Sequence, residues 1–183
     1  MKISLFLTLT VLVSPLFAKS LTTVDGTDVL SGKAVKVEMK SATKGTVLVF
    51  LSAKCPCSAS HEGILKELAT QYKDFNFIAI HSNADENAEM TKAHFSSVAL
   101  NFPVLQDSKS HLANELGALK TPHAFVLDKN GEVLYQGGVT DSHTGPSAKN
   151  QFLKEVLEDL QAGKAPRMKE GRALGCFIQR EDA

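Results

Sequence analysis

The chain has 183 residues, of which 43% are hydrophobic and 22% charged, the composition of one globular domain with a proper core. Twenty Lys plus Arg balance twenty Asp plus Glu, so no overall field draws in nucleic acid or an anionic membrane surface, and neither is expected as a partner. Three cysteines allow one disulfide and leave one thiol over.

Residues 1–18 differ in kind from the rest. Lys2 gives a positive start, Leu5 to Val13 an apolar run, and Ser14-Pro15-Leu16-Phe17-Ala18 a cleavage-type ending, the pattern of a secretory signal peptide. The run is shorter than the roughly 20 residues a membrane span needs, so no stable membrane insertion is expected after cleavage. A chain starting near Lys19 would work in an oxidising setting, a periplasm or the exterior, and it would keep all three cysteines.

From Leu21 to Lys44, turn signals at Asp25-Gly26 and Ser31-Gly32 break the pattern, and Val35, Val37 and Met39 alternate as an edge strand does. Thr46 to Leu51 is continuously apolar, which suits a strand covered on both faces. It runs directly into Cys55-Pro56-Cys57-Ser58. A helix follows, with Ser58 or Ser60 as its cap and Ile64, Leu65, Leu68, Ala69 and Tyr72 on one face. Cys55 and Cys57 therefore sit between the carboxyl end of a strand and the amino end of a helix, where open parallel sheets place their sites and the helix dipole favours a thiolate.

Phe75 to Ile80 reads as the next parallel strand, and Asp85 to Ser97 as a helix with Met90, Ala93 and Phe95 inward. Phe102 to Leu105 is a short extended piece. Asp107 or Ser108 opens a helix that buries Leu112 and Leu116 and stops at Gly117. After Thr121-Pro122, His123 to Leu127 and Glu132 to Tyr135 flank Asp128-Lys129-Asn130-Gly131, a hairpin signal. Gly145-Pro146 introduces a last helix carrying Phe152, Leu153, Val156, Leu157 and Leu160, and residues 164–183 read as a basic, irregular tail containing Gly175-Cys176.

Taken together, Cys55-Pro56-x-Ser58, Thr121-Pro122, Phe125-Val126-Leu127-Asp128-x-x-Gly131 and Tyr135-x-Gly137 resemble the redoxin branch of the thioredoxin-like proteins, the group of the alkyl hydroperoxide reductases and thiol-specific antioxidants. Some secreted members also end in a Gly-Cys such as Gly175-Cys176. The resemblance implies an α/β, thioredoxin-like fold over residues 19–163, a central mixed sheet with helices on both faces. The C-terminal tail, 164–183, carries Cys176. It further implies that Cys55 is the nucleophile, that Pro122 is a cis-proline facing it, and that the activity is that of a thiol-dependent oxidoreductase, either a disulfide reductase or peroxiredoxin-like. The expected partners are a thiol or disulfide protein or a hydroperoxide substrate, with an external thiol reductant for regeneration.

The chain departs from the family at telling positions. The place three residues after Cys55, where thioredoxins carry a second cysteine, holds Ser58, and the second thiol stands at Cys57. A bridge between Cys55 and Cys57 would close a very short, strained and easily reduced ring. Leu48 and Ser52 replace the proline and threonine of the peroxiredoxin pattern, and the arginines, Arg167, Arg172 and Arg180, all lie in the tail. Either Cys57 or a folded-back Cys176 can be the second thiol, with Cys176 alternatively a staple for the tail. Lys54 favours a thiolate at Cys55 if its ammonium reaches the sulfur.

No cofactor is expected on this reading. A different class of function is a copper-binding or copper-delivering protein in which Cys55, Cys57 and His123 form a soft S,S,N site for Cu(I). His81, His94 and His111 read as satisfied or solvated side chains, and Asp141 and His143 as polar loop residues.

Overall fold

The structure, a computed structural model, describes residues 20–180; the expected signal peptide lies outside the described residues. Among the described residues nine strands and four α-helices follow in chain order: β1 (Thr23–Asp28), β2 (Ala34–Glu38), β3 (Gly45–Leu51), α1 (Pro56–Gln71), β4 (Phe75–His81), α2 (Ala88–Val98), β5 (Val104–Gln106), α3 (His111–Leu116), β6 (Lys120–Thr121), β7 (His123–Leu127), β8 (Val133–Gly137), α4 (Phe152–Gln161) and β9 (Cys176–Phe177). Seven strands form one sheet in the order β2-β1-β5-β4-β3-β7-β8. The β3–β4 and β4–β5 pairs are parallel, and β1–β2, β1–β5, β3–β7 and β7–β8 are antiparallel. This is a central mixed sheet of thioredoxin-like type.

Every residue of β3 is buried, because both faces of the central strand are covered. Val47, Val49 and Leu51 point to one face, where Leu65 and Leu68 of α1, Phe95 of α2 and Leu153, Val156 and Leu157 of α4 close over them. Leu48 and Phe50 point to the other, against Leu112 and Ala113 of α3, Phe125 of β7 and Ile178 beyond β9. A continuous apolar run thus divides by its period of two into two cores.

Several expectations are corrected. Cys55, not Ser58 or Ser60, occupies the N-cap position of α1, without a side-chain capping bond, and Pro56 follows in the first turn, where its missing N–H costs no helical bond. In α2 the buried residues are Thr91 and Phe95; Met90 is 39% exposed and Ala93 is exposed, because the Asn87 side chain caps the helix at Met90 N and sets a different inward face. Gly145-Pro146 forms only a short 3₁₀ turn, and α4 starts later, at Phe152. The expected stop at Gly117 is present, with φ +67° in the left-handed region that glycine tolerates.

The tail is not irregular throughout. Gln136 of β8 exchanges backbone bonds with it, Lys169 O accepting from Gln136 N and Gln136 O from Gly171 N, each at 3.0 Å. Further on, β9 pairs antiparallel with β6, Thr121 opposite Cys176. Beyond that, Ile178 N donates to Leu119 O, Gln179 N to Asn83 Oδ1 and Ala84 N to Gln179 O, and the Arg180 guanidinium donates to Ala118 O. The tail is a strap across the carboxyl end of the parallel strands, pinned on both sides of Cys176.

Candidate active site

At the top of β3 the chain must leave the sheet and enter α1 within a few residues, and one buried carboxylate organises that turn. Glu86 is 7% exposed and accepts from Ser52 Oγ at 2.5 Å, Ala53 N at 2.7 Å and Asn83 Nδ2 at 2.7 Å, with His81 Nε2 3.1 Å away. Burial alone would raise its carboxyl; these donors outweigh that and hold it at about 2. Ser52 Oγ in turn accepts from Lys54 N at 3.2 Å and Cys55 N at 3.0 Å, so the chain Glu86, Ser52, Cys55 fixes the loop backbone.

Cys55 is 2% exposed. Its Sγ lies 3.0 Å from the carbonyl oxygen of Thr121, to which the neutral thiol donates, and the Thr121–Pro122 peptide is cis. Burial pushes the Cys55 thiol up. Against it act the Cys176 thiol, the Thr121 hydroxyl and the backbone N–H groups of Ser58 and Cys176, which together hold Cys55 at about 7, below the ordinary 9.0. The Ser58 N–H is a free donor of the first helical turn, which is why a helix start suits a thiolate.

Three sulfurs meet here. Cys176, exposed on β9, stands opposite Thr121, whose carbonyl oxygen lies against Cys55 Sγ, and its thiol and N–H favour the Cys55 thiolate; Cys57 sits half-buried in the first turn of α1. Burial and the neighbouring Cys55 sulfur push Cys176 up to about 12 and raise Cys57 as well. All three are free thiols in this structure. The position three residues after Cys55 is spent differently: Ser58 is fully buried, and its hydroxyl accepts from Ser52 N at 3.2 Å.

Gly175 explains how Cys176 comes so close. A β-carbon on it would stand 2.0 Å from Thr121 O, so only glycine lets the strap lie flat against the residue before Pro122.

The lysine at the site is Lys120, which lowers both Cys57 and Cys176 and sits with its Nζ 3.3 Å from the ring centroid of Phe177. Lys54, expected to reach Cys55, binds Asp85 instead, with Nζ 2.6 Å from its carbonyl and 3.0 Å from its carboxylate. His123 is not brought to the cysteines: its Nδ1 accepts from Leu119 N at 3.3 Å and its ring packs on Phe125, where burial lowers it to about 4. The histidine beside Cys57 is His143, Nδ1 to Sγ 3.7 Å. Among the described residues no group of three or more His, Cys, Asp or Glu is arranged to hold a metal ion.

Sequence reasoning missed Glu86, His61, Lys120 and His143. His61, 1% exposed, donates from Nδ1 to Cys57 O at 2.7 Å and pairs through Nε2 with Thr140 Oγ1 at 2.8 Å. Its signal was in the sequence, a histidine four residues after Cys57 and so on the same helix face. Glu86, Lys120 and His143 carry no such spacing.

The redoxin family model matches residues 18–152. Thiol-disulfide oxidoreductase ResA from Bacillus thuringiensis (strain 97-27) is 30% identical over 131 residues, 71% of this chain and 68% of that protein. Among solved structures, an uncharacterized conserved protein from Geobacillus kaustophilus superposes with a TM-score of 0.80 at 25% identity, covering 90% of this chain and 92% of its own. A hypothetical protein from Sinorhizobium meliloti 1021 gives 0.79 at 21% identity over 90% and 94%, which speaks for the fold. On the extent of the family match and the likeness to ResA, this chain belongs to the redoxin family.

Proposed function

We propose that this protein is a thiol–disulfide oxidoreductase whose working pair is Cys55 and Cys176. The observation that carries the reading is the pairing of β9 with β6, which sets Cys176 opposite Thr121, whose carbonyl oxygen lies 3.0 Å from Cys55 Sγ; the lowered Cys55 thiol, at about 7, supports it. The likeness to a thiol-disulfide oxidoreductase supports it.

In the reduced protein Cys55 is the thiolate and Cys176 the thiol. Oxidation removes two electrons and one proton from the pair and forms the Cys55–Cys176 disulfide; an external dithiol reverses it by two successive exchanges, becoming a disulfide itself. Cys57 is the third thiol, turned toward His143, and is not needed for this cycle. The apolar stretch Leu5 to Val13 supports work outside the cytoplasm, where such a disulfide persists.

Hydroperoxide reduction would use the same thiolate: Cys55 takes the distal oxygen, the O–O bond breaks, the departing alkoxide is protonated, and Cys176 displaces water from the sulfenic acid. Disulfide exchange is the better supported reaction, because the relative this chain resembles is a thiol-disulfide oxidoreductase and Leu48 and Ser52 stand where the peroxiredoxin pattern has its proline and threonine.

The test is catalysed reduction of insulin disulfides by dithiothreitol, with hydrogen peroxide consumption measured in parallel. Wild type should accelerate the first reaction, Cys55→Ser should return it to the uncatalysed rate and Cys176→Ser should lower it at least tenfold. Unchanged turnover in Cys55→Ser sinks the reading.

A further inference from the structure

The burial of the two working sulfurs is the reverse of what partner exchange at Cys55 requires. Cys55 is 2% exposed, whereas Cys176 is exposed and is followed by Phe177, 62% exposed. In a thioredoxin-like site the backbone of the residue before the cis-proline is the edge on which an extended partner can pair, as strands add to free sheet edges. Here the chain's own β9 holds that edge, Thr121 opposite Cys176. The strap is also fixed on both sides, by Gly171 on β8 and by Ile178, Gln179 and Arg180 on the far side, so Cys176 is presented rather than dangling.

We propose that Cys176, not Cys55, is the sulfur that forms the mixed disulfide with the protein's thiol partner, and that Cys55 is the internal sulfur that leaves. The inference rests on the Cys55–Cys176 pair proposed above. A partner thiolate attacks Cys176 Sγ in the oxidised protein; the Cys55–Cys176 bond breaks, its electron pair departs with Cys55, and the partner–Cys176 disulfide forms. A second thiol of the partner then attacks the partner's own sulfur, giving the partner's disulfide and releasing Cys176, which takes up a proton. The partner is thus a dithiol, oxidised by two electrons as the protein disulfide is reduced.

Two properties of the site agree with this direction. The better leaving group in a disulfide is the sulfur of lower pKa, and Cys55 is held at about 7 while Cys176 is pushed up to about 12. The exposed Phe177 and the Lys120 ammonium over its ring flank Cys176, an apolar and a cationic contact for an incoming peptide thiol.

The probe is glutathione, a monothiol that stops the reaction at the first step. Oxidised full-length protein carrying Cys57→Ser, so that the third thiol cannot reshuffle the adduct, is mixed with excess glutathione at pH 7, quenched in acid, alkylated and mapped by mass spectrometry. The wild-type protein is mapped in parallel. Glutathione on Cys176 with alkylated Cys55, in at least tenfold excess over the opposite arrangement, supports the proposal. Glutathione on Cys55 overturns it while leaving the pair intact. Absence of any Cys55–Cys176 disulfide before glutathione is added overturns the reading on which it rests.

Discussion

Gly175 lies on the backbone of Thr121 with no room for a side chain: a β-carbon would meet the Thr121 carbonyl oxygen at 2.0 Å and its carbonyl carbon at 2.8 Å. The same carbonyl oxygen stands 3.0 Å from Cys55 Sγ, so one peptide group touches both the nucleophile candidate and the strap that covers it. Neither neighbour can give, because both atoms belong to backbone.

Gly175→Val should therefore lift β9 off β6. Cys55 would lose the thiol and N–H donors of Cys176 and become exposed. Alkylation by iodoacetamide, followed against pH, should then show the Cys55 midpoint move up from about 7 toward the ordinary 9.0, and a bulky maleimide should react at least tenfold faster at a fixed thiolate fraction. An unchanged midpoint would mean that β9 does not set the ionisation of Cys55.

The lowered thiol of Cys55 also has a stability consequence. Its folded value lies below its unfolded one, so its contribution is present above the unfolded value and is lost as pH falls through about 7. The reduced wild-type protein should gain melting temperature between about pH 7 and 8.5 relative to Cys55→Ser. Above 9 the raised thiol of Cys176 works the other way, since it ionises more readily once unfolded. Thermal melts of both proteins under a non-thiol reductant test this; parallel curves from pH 6 to 8.5 would contradict it.

Glu86→Ala should cost about 3 kcal/mol, the usual scale for removing one partner of a buried charged network, because it strands the Ala53 N–H and the side chains of Ser52, His81 and Asn83. Glu86→Gln separates charge from shape. The carboxyl is held at about 2 against an ordinary 4.5, so its stabilisation is present above 4.5 and fades as pH falls toward 2. Wild type should lose more stability than Glu86→Gln between pH 5 and 3, measured by urea midpoints. Equal losses would remove Glu86 from the role of loop anchor.

Ile178, 5% exposed, is the apolar peg of the strap, and its N–H donates to Leu119 O at 3.0 Å. Ile178→Ala should weaken the strap by about 2 kcal/mol without unfolding the domain, which corresponds to about thirtyfold faster hydrogen exchange at the Ile178 amide. Exchange in β3 should stay as in wild type. If β3 accelerates equally, the strap does not open independently of the core.

Much of this architecture was legible in the residues. The run from Val47 to Leu51 is a buried strand because no side chain in it needs water, and the apolar spacing from Ile64 to Tyr72 is a helix because it repeats every three to four residues. Asp128 to Gly131 turned the β7–β8 hairpin as such loops do, with Asp128 Oδ1 accepting from Asn130 N and Glu132 N. The helix faces that were misread, Met90 and Ala93, lie where periodicity was weakest and the Asn87 cap decided the phase.

Of the site, the sequence by itself determined the junction: Cys55 after a strand and before a helix, with Thr121-Pro122 leading into the hairpin. Those features are local, written in runs and spacings of neighbouring residues. Only the tertiary structure decided which thiol opposes Cys55, which carboxylate holds its loop and which histidine stands near Cys57. Cys176 reaches Cys55 through backbone pairing of β9 with β6 and through a glycine that fits against Thr121, Glu86 arrives from the loop after β4, and His143 from the loop after β8. Contacts of that kind depend on how distant segments close over one sheet edge, and no periodicity within a segment records them.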